Sequence, residues 1–143
     1  MSVSTILQRK GSKVETVYPE TTVAEAARLM TDRDIGALVV CDRWGKVVGI
    51  VSERDVARGA AREGAGVLDR EVATIMIGSV LSCRPEDEVK HVMAVMTLHK
   101  VRHLPVMVGN ELRGIVSMGD LVKHRLDEIE VEVGVLRDYA RSH

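Results

Sequence analysis

The sequence contains one pattern twice, and this internal repeat limits the possible folds more than any other feature. Pro19 and Pro85 are 66 positions apart, and several apolar positions that follow them keep this spacing. Later in each copy the run Gly-Ile-Val-Ser-x-x-Asp occurs at 49–55 and again at 114–120. Two chance occurrences of such a run are rare when each residue type has a background frequency of about 5–10%. The chain is therefore a duplication of one structural unit.

Each copy predicts the same order of elements. Apolar residues at i, i+3, i+4 and i+7 predict amphipathic helices starting at Val23 and Val89, with Thr22 and Asp87 as N-caps. Two apolar strands joined as a hairpin follow in each copy, at 37–41 and 47–51, and at 104–108 and 112–116. Because these strands lack polar alternation, we expect them to be buried on both faces. A second helix then starts after the serine of each repeated run.

These elements predict a mixed α/β (α+β) fold of two tandem β-α-β-β-α repeats packed about a pseudo-twofold axis, with an added C-terminal helix. Extended segments at 15–17 and 80–82 lead into the repeats, and a short helix is expected at 72–76. The predicted boundaries are 7–60 for the first repeat, 61–71 for a linker, 72–125 for the second repeat and 126–143 for the helical extension.

The C-terminal region predicts one long helix from Leu121 to about Ala140 with an apolar seam. Its apolar residues recur at alternating steps of four and three: Val122, Leu126, Ile129, Val133, Leu136 and Ala140. Such a seam needs a partner surface. This surface is either the body of the same chain or a second chain in a homodimer.

Composition excludes several classes of function. With 20 basic and 21 acidic residues and 2% aromatic residues, the chain is a poor candidate for binding nucleic acid. No run approaches the roughly 18 apolar residues of a membrane span, and no secretory signal is present, so a cytoplasmic protein is expected. Cys41 and Cys83 lie among aliphatic residues and are interpreted as buried packing residues rather than redox or zinc groups.

The remaining single residues favour structural roles. His99 and His103 are four apart at the start of a strand, where this spacing does not share a face, so a metal site is disfavoured. His91, His124 and His143 are expected at the surface, and Met30, Met93 and Met96 in the core. Trp44 lies in a hairpin turn, where it either packs on a neighbouring subunit or is exposed.

The duplicated Ser-x-x-Asp motif, with the strands 35–40 and 101–106, resembles a tandem pair of CBS domains, the module named after cystathionine β-synthase. The resemblance covers about residues 7–125 and is greatest to small stand-alone bacterial proteins of this kind. It implies a regulatory, non-catalytic module that binds an adenosine-containing ligand, such as AMP, ADP, ATP or NAD(H), between the repeats. It also implies a homodimer and an unidentified downstream protein partner.

The chemistry of the motif is compatible with this function. A carboxylate at a helix start can accept hydrogen bonds from a ribose diol, and the helix N-terminus favours anionic groups. Adenine can lie between aliphatic strand residues, while cations such as Lys10, Arg102 and His103 can bind phosphates. The motif is also a common N-cap, worth about 1 kcal/mol of helix stability. In that alternative, Lys10 and Arg102 are ordinary solvated cations.

The resemblance implies two clefts. The first takes its base contacts, sugar contacts and phosphate contacts from Lys10, Tyr18, Ile35, Gly36, Ala37, Arg102, His103, Ile115, Ser117, Gly119 and Asp120. The second takes them from Ile50, Ser52, Arg54, Asp55, Arg84, Val101 and His103. Gly36 and Ala37 occupy the positions that Arg102 and His103 occupy in the second copy. We therefore expect the second cleft to contain fewer cations, and to prefer fewer phosphates or remain empty.

Two other functions are considered. A ligand-free scaffold protein would have degenerate clefts and would dimerise through the CBS pair and the terminal helix. An enzyme is disfavoured because the sequence lacks an ordered Ser/His/Asp set, metal-ligand spacing, an acid pair and a phosphate-binding glycine loop.

Overall fold

The repeats fold into two small sheets surrounded by helices, as shown by a computed structural model that describes residues 1–142. His143 lies outside the described residues. The first half comprises α1 (Val3–Lys10), β1 (Thr16–Val17), α2 (Val23–Arg33), β2 (Ala37–Cys41), β3 (Val47–Ser52) and α3 (Glu53–Glu63). The second half comprises 3₁₀ helices at Gly64–Asp69 and Val72–Thr74, then α4 (Val89–His99), β4 (His103–Val108), β5 (Glu111–Ser117) and α5 (Met118–Ser142).

The two hairpins have equivalent registers, which confirms the mixed fold of two repeats. Val39 of β2 lies opposite Ile50 of β3, and Pro105 of β4 lies opposite Ile115 of β5. In the first sheet, β1 adds a parallel strand beside β2. β2 is buried along its whole length as predicted, but in β5 only Gly114 and Val116 are buried, so the prediction of burial on both faces is wrong for this strand.

One local prediction in the second copy is shifted by one residue, and another was wrong. The extended segment expected at 80–82 pairs with β4 through the next residue, Cys83, whose N–H donates to Pro105 and whose carbonyl oxygen accepts from Met107. Asp87 does not cap α4, whose N-cap is Glu88. The carboxylate of Asp87 instead accepts a hydrogen bond of 2.9 Å from the backbone N–H of Arg84 and closes the turn before the helix. In the first copy Thr22 caps α2 as predicted, at 3.1 Å from the N–H of Glu25.

The segment that precedes each repeat packs into the core of the other repeat. Helix α1, which the sequence analysis did not predict, places Val3 and Ile6 in the core of the second repeat. Val72, which starts the 3₁₀ turn where a short helix was expected, lies in the core of the first repeat. The backbone contacts are equivalent, since Val3 N–H donates to Asp87 and Val72 N–H donates to Thr21.

The region predicted as a linker is structured. Helix α3 continues to Glu63, and the following 3₁₀ helix buries Val67 completely. A Cβ atom added at Gly59 would lie 2.6 Å from a methyl group of Val67. The absence of a side chain at Gly59 therefore allows this turn to pack directly against α3.

Helix α5 is one continuous helix from Met118 to Ser142, so the helix predicted after Ser117 and the long helix predicted from Leu121 are the same element. His124 is buried, contrary to the prediction of a surface position, because α1 packs beside α5. Its Nε2 atom lies 2.9 Å from a carboxylate oxygen of Glu128. Beyond this contact the helix carries many exposed apolar side chains, among them Leu126, Ile129, Val131, Val133, Val135 and Leu136.

The predicted core residues are found in the core. Met30 and Met96 are buried, and Met93 is partly buried against the core of the second repeat. Cys41 and Cys83 are buried free thiols, and burial, followed by the charge of Asp87, raises the pKa of Cys83 to about 12. Trp44 is 80% exposed in its turn. Within residues 1–142 no helix has the length and apolar character needed to cross a bilayer.

Candidate functional site: a cleft between the repeats

A cleft separates the helix start of the first repeat from the strand start of the second. It contains about 840 Å³ of space between protein atoms, part of it open to solvent. One wall is formed by Ile50, Ser52, Glu53, Arg54, Asp55 and Arg58, with Gly36 beside them. The facing wall is formed by Lys100, Val101, Arg102, His103 and Leu104, and by Ile77, Ser79, Val80 and Leu81.

The carboxylate of Asp55 lies at the start of α3 and is held in place by Ser52. One oxygen, Oδ2, accepts hydrogen bonds from the Ser52 N–H at 2.8 Å and from the Ser52 hydroxyl at 3.0 Å. The backbone N–H of Asp55 completes a capping box with the same serine. Asp55 is 9% exposed and lines the cleft, so it is an oriented acceptor next to free space.

His103 lies at the point where the two repeats meet. A Cβ atom added at Gly36 would be 3.2 Å from Nε2 of His103, so the imidazole fits because position 36 has no side chain. Burial lowers the pKa of His103, and nearby Lys10 and Arg102 add to this, while Asp120 and Glu53 act in the opposite direction. A largely neutral imidazole therefore faces the cleft near neutral pH.

The Asp55 cleft is rich in cations, so the prediction that it contains fewer was wrong. Arg102 and His103 line this cleft, where Arg54, Arg58 and Lys100 join them. The prediction failed because it assigned Arg102 to the Asp120 cleft alone and did not include Arg58 and Lys100. Arg58 could have been found, since it lies four residues after Arg54 on the same helix and thus shares its face. Lys100, which ends α4 in a left-handed conformation, gave no comparable signal.

The equivalent motif of the second repeat is engaged by Lys10. Its ammonium group donates to Asp120 Oδ2 at 2.7 Å and to the backbone carbonyl of Ile115 at 3.0 Å. Ser117 and Asp120 form the same reciprocal cap as the first repeat. Burial acts to raise the pKa of Asp120, but the hydrogen bonds from Lys10 and Ser117 outweigh it and lower the pKa below its usual value. Lys10, expected at phosphates, here binds the carboxylate expected at the sugar.

The other predicted residues lie in different parts of the structure. Tyr18 is 60% exposed, and Ile35 packs against the core of the first repeat. Ala37 is buried in β2, opposite Ser52. The exposed guanidinium of Arg84 lies 3.5 Å from Asp87. Gly119 is exposed in the first turn of α5.

Comparison with known proteins identifies the family. The family model of the CBS domain matches residues 3–62 and 72–127. The chain belongs to the CBS domain family. The matched ranges correspond to the two repeats, each with the segment that precedes it.

Individual CBS proteins show the same arrangement. A CBS-domain protein of Agrobacterium tumefaciens is 40% identical, with a TM-score of 0.85 over 87% of this chain and 92% of that one. The CBS domain-containing protein YhcV of Bacillus subtilis is 30% identical over 87% of both chains. The CBS domain pair of the protein MJ0100, solved with 5′-methylthioadenosine and S-adenosylmethionine, is 25% identical, with a TM-score of 0.77 over 86% of this chain and 98% of that one.

In this CBS pair, the part of the chain from residue 1 to 142 contains no group of three or more His, Cys, Asp or Glu side chains placed to hold a metal ion. The polar side chains at the cleft are instead two carboxylates, two hydroxyls, an imidazole and four cationic groups. This set is suited to a ligand with a polar sugar and negative charge.

Proposed function

We propose that this CBS pair is a non-catalytic regulatory module that binds an adenosine-containing nucleotide in the Asp55 cleft. The observation that carries the proposal is the oriented carboxylate of Asp55 beside open space, facing the strand start of the other repeat. A ligand in this cleft contacts both repeats and therefore favours one arrangement of them. Coupling of this kind is typically worth about 1–3 kcal/mol. A downstream partner that contacts both repeats would sense the change.

The sugar is assigned to Asp55. Its carboxylate is fixed by Ser52, and a fixed acceptor can bind both hydroxyls of a ribose without losing side-chain freedom. The base is assigned to the apolar part of the cleft around Ile50, Val101 and Leu104. An adenosine moiety, such as that bound by the related pair of MJ0100, contains both groups.

The phosphates are assigned to the cationic side chains. Arg54 and Arg58 lie on the first turns of α3, whose N-terminus itself favours negative charge. Lys100 and Arg102 face them from the second repeat. Four cations against the carboxylates of Glu53 and Asp55 leave a positive excess. The cleft therefore favours AMP, ADP, ATP or NAD(H) over an uncharged adenosine derivative.

The proposal is tested by calorimetric titration with AMP, ATP and NADH. We expect at least one of them to bind and to raise the melting temperature. The variant Asp55→Asn keeps the shape of the side chain but removes its charge. Hydrogen bonds to a charged group contribute about 1.5–3 kcal/mol, so Kd should increase by about 10-fold to 150-fold.

Asp42→Asn is the matched control. Asp42 also accepts two backbone hydrogen bonds, from Trp44 and Lys46, but it lies in the turn at the far end of the β2–β3 hairpin. Its substitution should leave Kd within about twofold. If AMP, ATP and NADH at millimolar concentration all leave the melting temperature of the wild-type chain unchanged, the nucleotide function is wrong.

A second function, assembly through α5, is supported by the exposed apolar seam of that helix. Leu126, Ile129, Val133 and Leu136 follow the alternating four and three spacing of a two-helix contact and are exposed in the single chain. We propose that a second copy of the chain covers this seam. Removal of residues 127–143 should convert a dimer to a monomer in light scattering. A wild-type chain that is monomeric at 100 µM would contradict it.

A further inference from the structure

The two Ser-x-x-Asp motifs have the same internal geometry but different surroundings. In both, the aspartate accepts the N–H of its serine, at 2.8 Å in the first repeat and at 2.9 Å in the second. Asp55 then faces the open cleft, whereas Asp120 is bound by the ammonium of Lys10. The difference thus arises outside the repeated motif.

The difference originates in the segments that precede the repeats. Both start with the same backbone contacts, and then they diverge. The segment before the second repeat leaves its 3₁₀ turn at Thr74 and becomes extended, so that Ile77 pairs with the backbone of Ile50. Helix α1 instead remains helical to Lys10, which brings a long cationic side chain over the second motif.

Lys10 therefore binds the carboxylate that a ribose would need there, through the Oδ2 atom. Ile115 is the repeat equivalent of Ile50, and its carbonyl oxygen accepts from Lys10, while the carbonyl oxygen of Ile50 accepts from the backbone of Ile77. The backbone acceptor is therefore bound at both sites, and the contact of Lys10 with the Asp120 carboxylate is what distinguishes the second site. The pair is partly shielded, with side-chain exposures of 35% for Lys10 and 26% for Asp120.

We infer that Lys10 closes the Asp120 site from within the chain, so that each chain binds one nucleotide, in the Asp55 cleft. The inference rests on the proposed function and adds a built-in inhibitory contact to it. A nucleotide entering the Asp120 site has to displace the ammonium group from two hydrogen bonds. A nucleotide entering the Asp55 cleft displaces no side chain from Asp55.

The number of bound nucleotides tests this inference. Equilibrium dialysis with ATP, and in parallel with AMP, should give one nucleotide per wild-type chain. Lys10→Met retains an apolar stem of similar length without the ammonium group, and it should give two per chain. Adding Asp120→Asn to this variant should return the number to one. Lys10→Arg keeps the charge and should remain at one.

Lys13→Met is the control, because Lys13 is highly exposed and its ammonium lies 3.8 Å from the carboxylate of Glu15, far longer than the contact of Lys10 with Asp120. It should bind one nucleotide per chain. Thermal unfolding of each variant verifies that it is folded, and Lys10→Gln replaces Lys10→Met if the latter is not.

The outcomes separate the inference from the proposed function. If Lys10→Met weakens binding or stays at one site, Lys10 does not close the Asp120 site and the inference is wrong. Two sites in the wild-type chain would also contradict it. If the wild type binds nothing but Lys10→Met binds one nucleotide that Asp120→Asn abolishes, the Asp55 function fails while the closure of the Asp120 site by Lys10 holds. If neither chain binds, both are wrong.

Discussion

Replacing Val3 by alanine should destabilise the second repeat, although Val3 precedes the first. Val3 is fully buried among second-repeat residues such as Val89 and Leu104. The substitution removes two buried carbon groups, worth about 0.8 kcal/mol each. The cavity that remains adds to this, so we expect the free energy of unfolding to fall by about 2–3 kcal/mol. Urea titration should show a lower midpoint with an unchanged slope.

Val72→Ala is the matched variant, because Val72 is equally buried but lies in the core of the first repeat. Amide hydrogen exchange in native conditions distinguishes the two. Val3→Ala should reduce protection first in β4 and β5, and Val72→Ala first in β2 and β3. Val131→Ala, at an exposed position on α5, should change stability by less than about 0.5 kcal/mol. If Val3→Ala instead loses protection first in β2 and β3, the packing of α1 into the core of the second repeat is refuted.

Three further predictions concern single side chains. Because burial keeps the pKa of His103 below 6.5, the unfolded chain takes up this proton first, and the free energy of unfolding falls as pH decreases through 6.5. His103→Gln should therefore make the urea midpoint depend less on pH. A pH dependence equal to that of the wild type would contradict this. In a Cys41→Ser background, Cys83 should react with a thiol reagent only after unfolding, because burial raises its pKa to about 12. Stoichiometric labelling of the folded chain would be inconsistent with the structure. A Cβ atom at Gly49 would overlap the sulfur of Met76, so Gly49→Ala should lower the free energy of unfolding by about 1–3 kcal/mol in urea titration. Gly66→Ala, where the added Cβ atom meets open space, should leave it unchanged. Equal effects of the two substitutions would show that the close packing at Gly49 is absent.

Much of the fold could be predicted because the same capping residues and apolar strand patterns occur in both copies of the repeat. The Thr22 cap, the buried run of β2 and the Ser52 cap each depend on neighbouring residues, and each was predicted correctly. The errors occur where the tertiary context decides. Asp87 is a good capping residue, but the turn after Arg84 uses its carboxylate first. His124 is polar enough for the surface, yet the packing of α1 buries it.

The Ser-x-x-Asp part of the site could be predicted, but not the set of cations around it. The Ser-x-x-Asp motif sets the local geometry of Ser52 and Asp55, and this part depends on sequence alone. Which cations face the motif depends on how the repeats pack, so Arg102 could not be assigned to a cleft in advance. The contact between Lys10 and Asp120 depends on a helix whose amphipathic pattern is too short to recognise.

The reciprocal packing of the segments before each repeat has a consequence for dissecting the protein. A fragment ending near residue 66 keeps the helix that belongs to the missing half and lacks Val72, which fills its own core. Neither half is then a complete folding unit. When the two fragments are mixed, however, each supplies the piece that the other needs. The molecule should therefore reassemble from its halves as a noncovalent complex, held by the same contacts that join them in the intact chain.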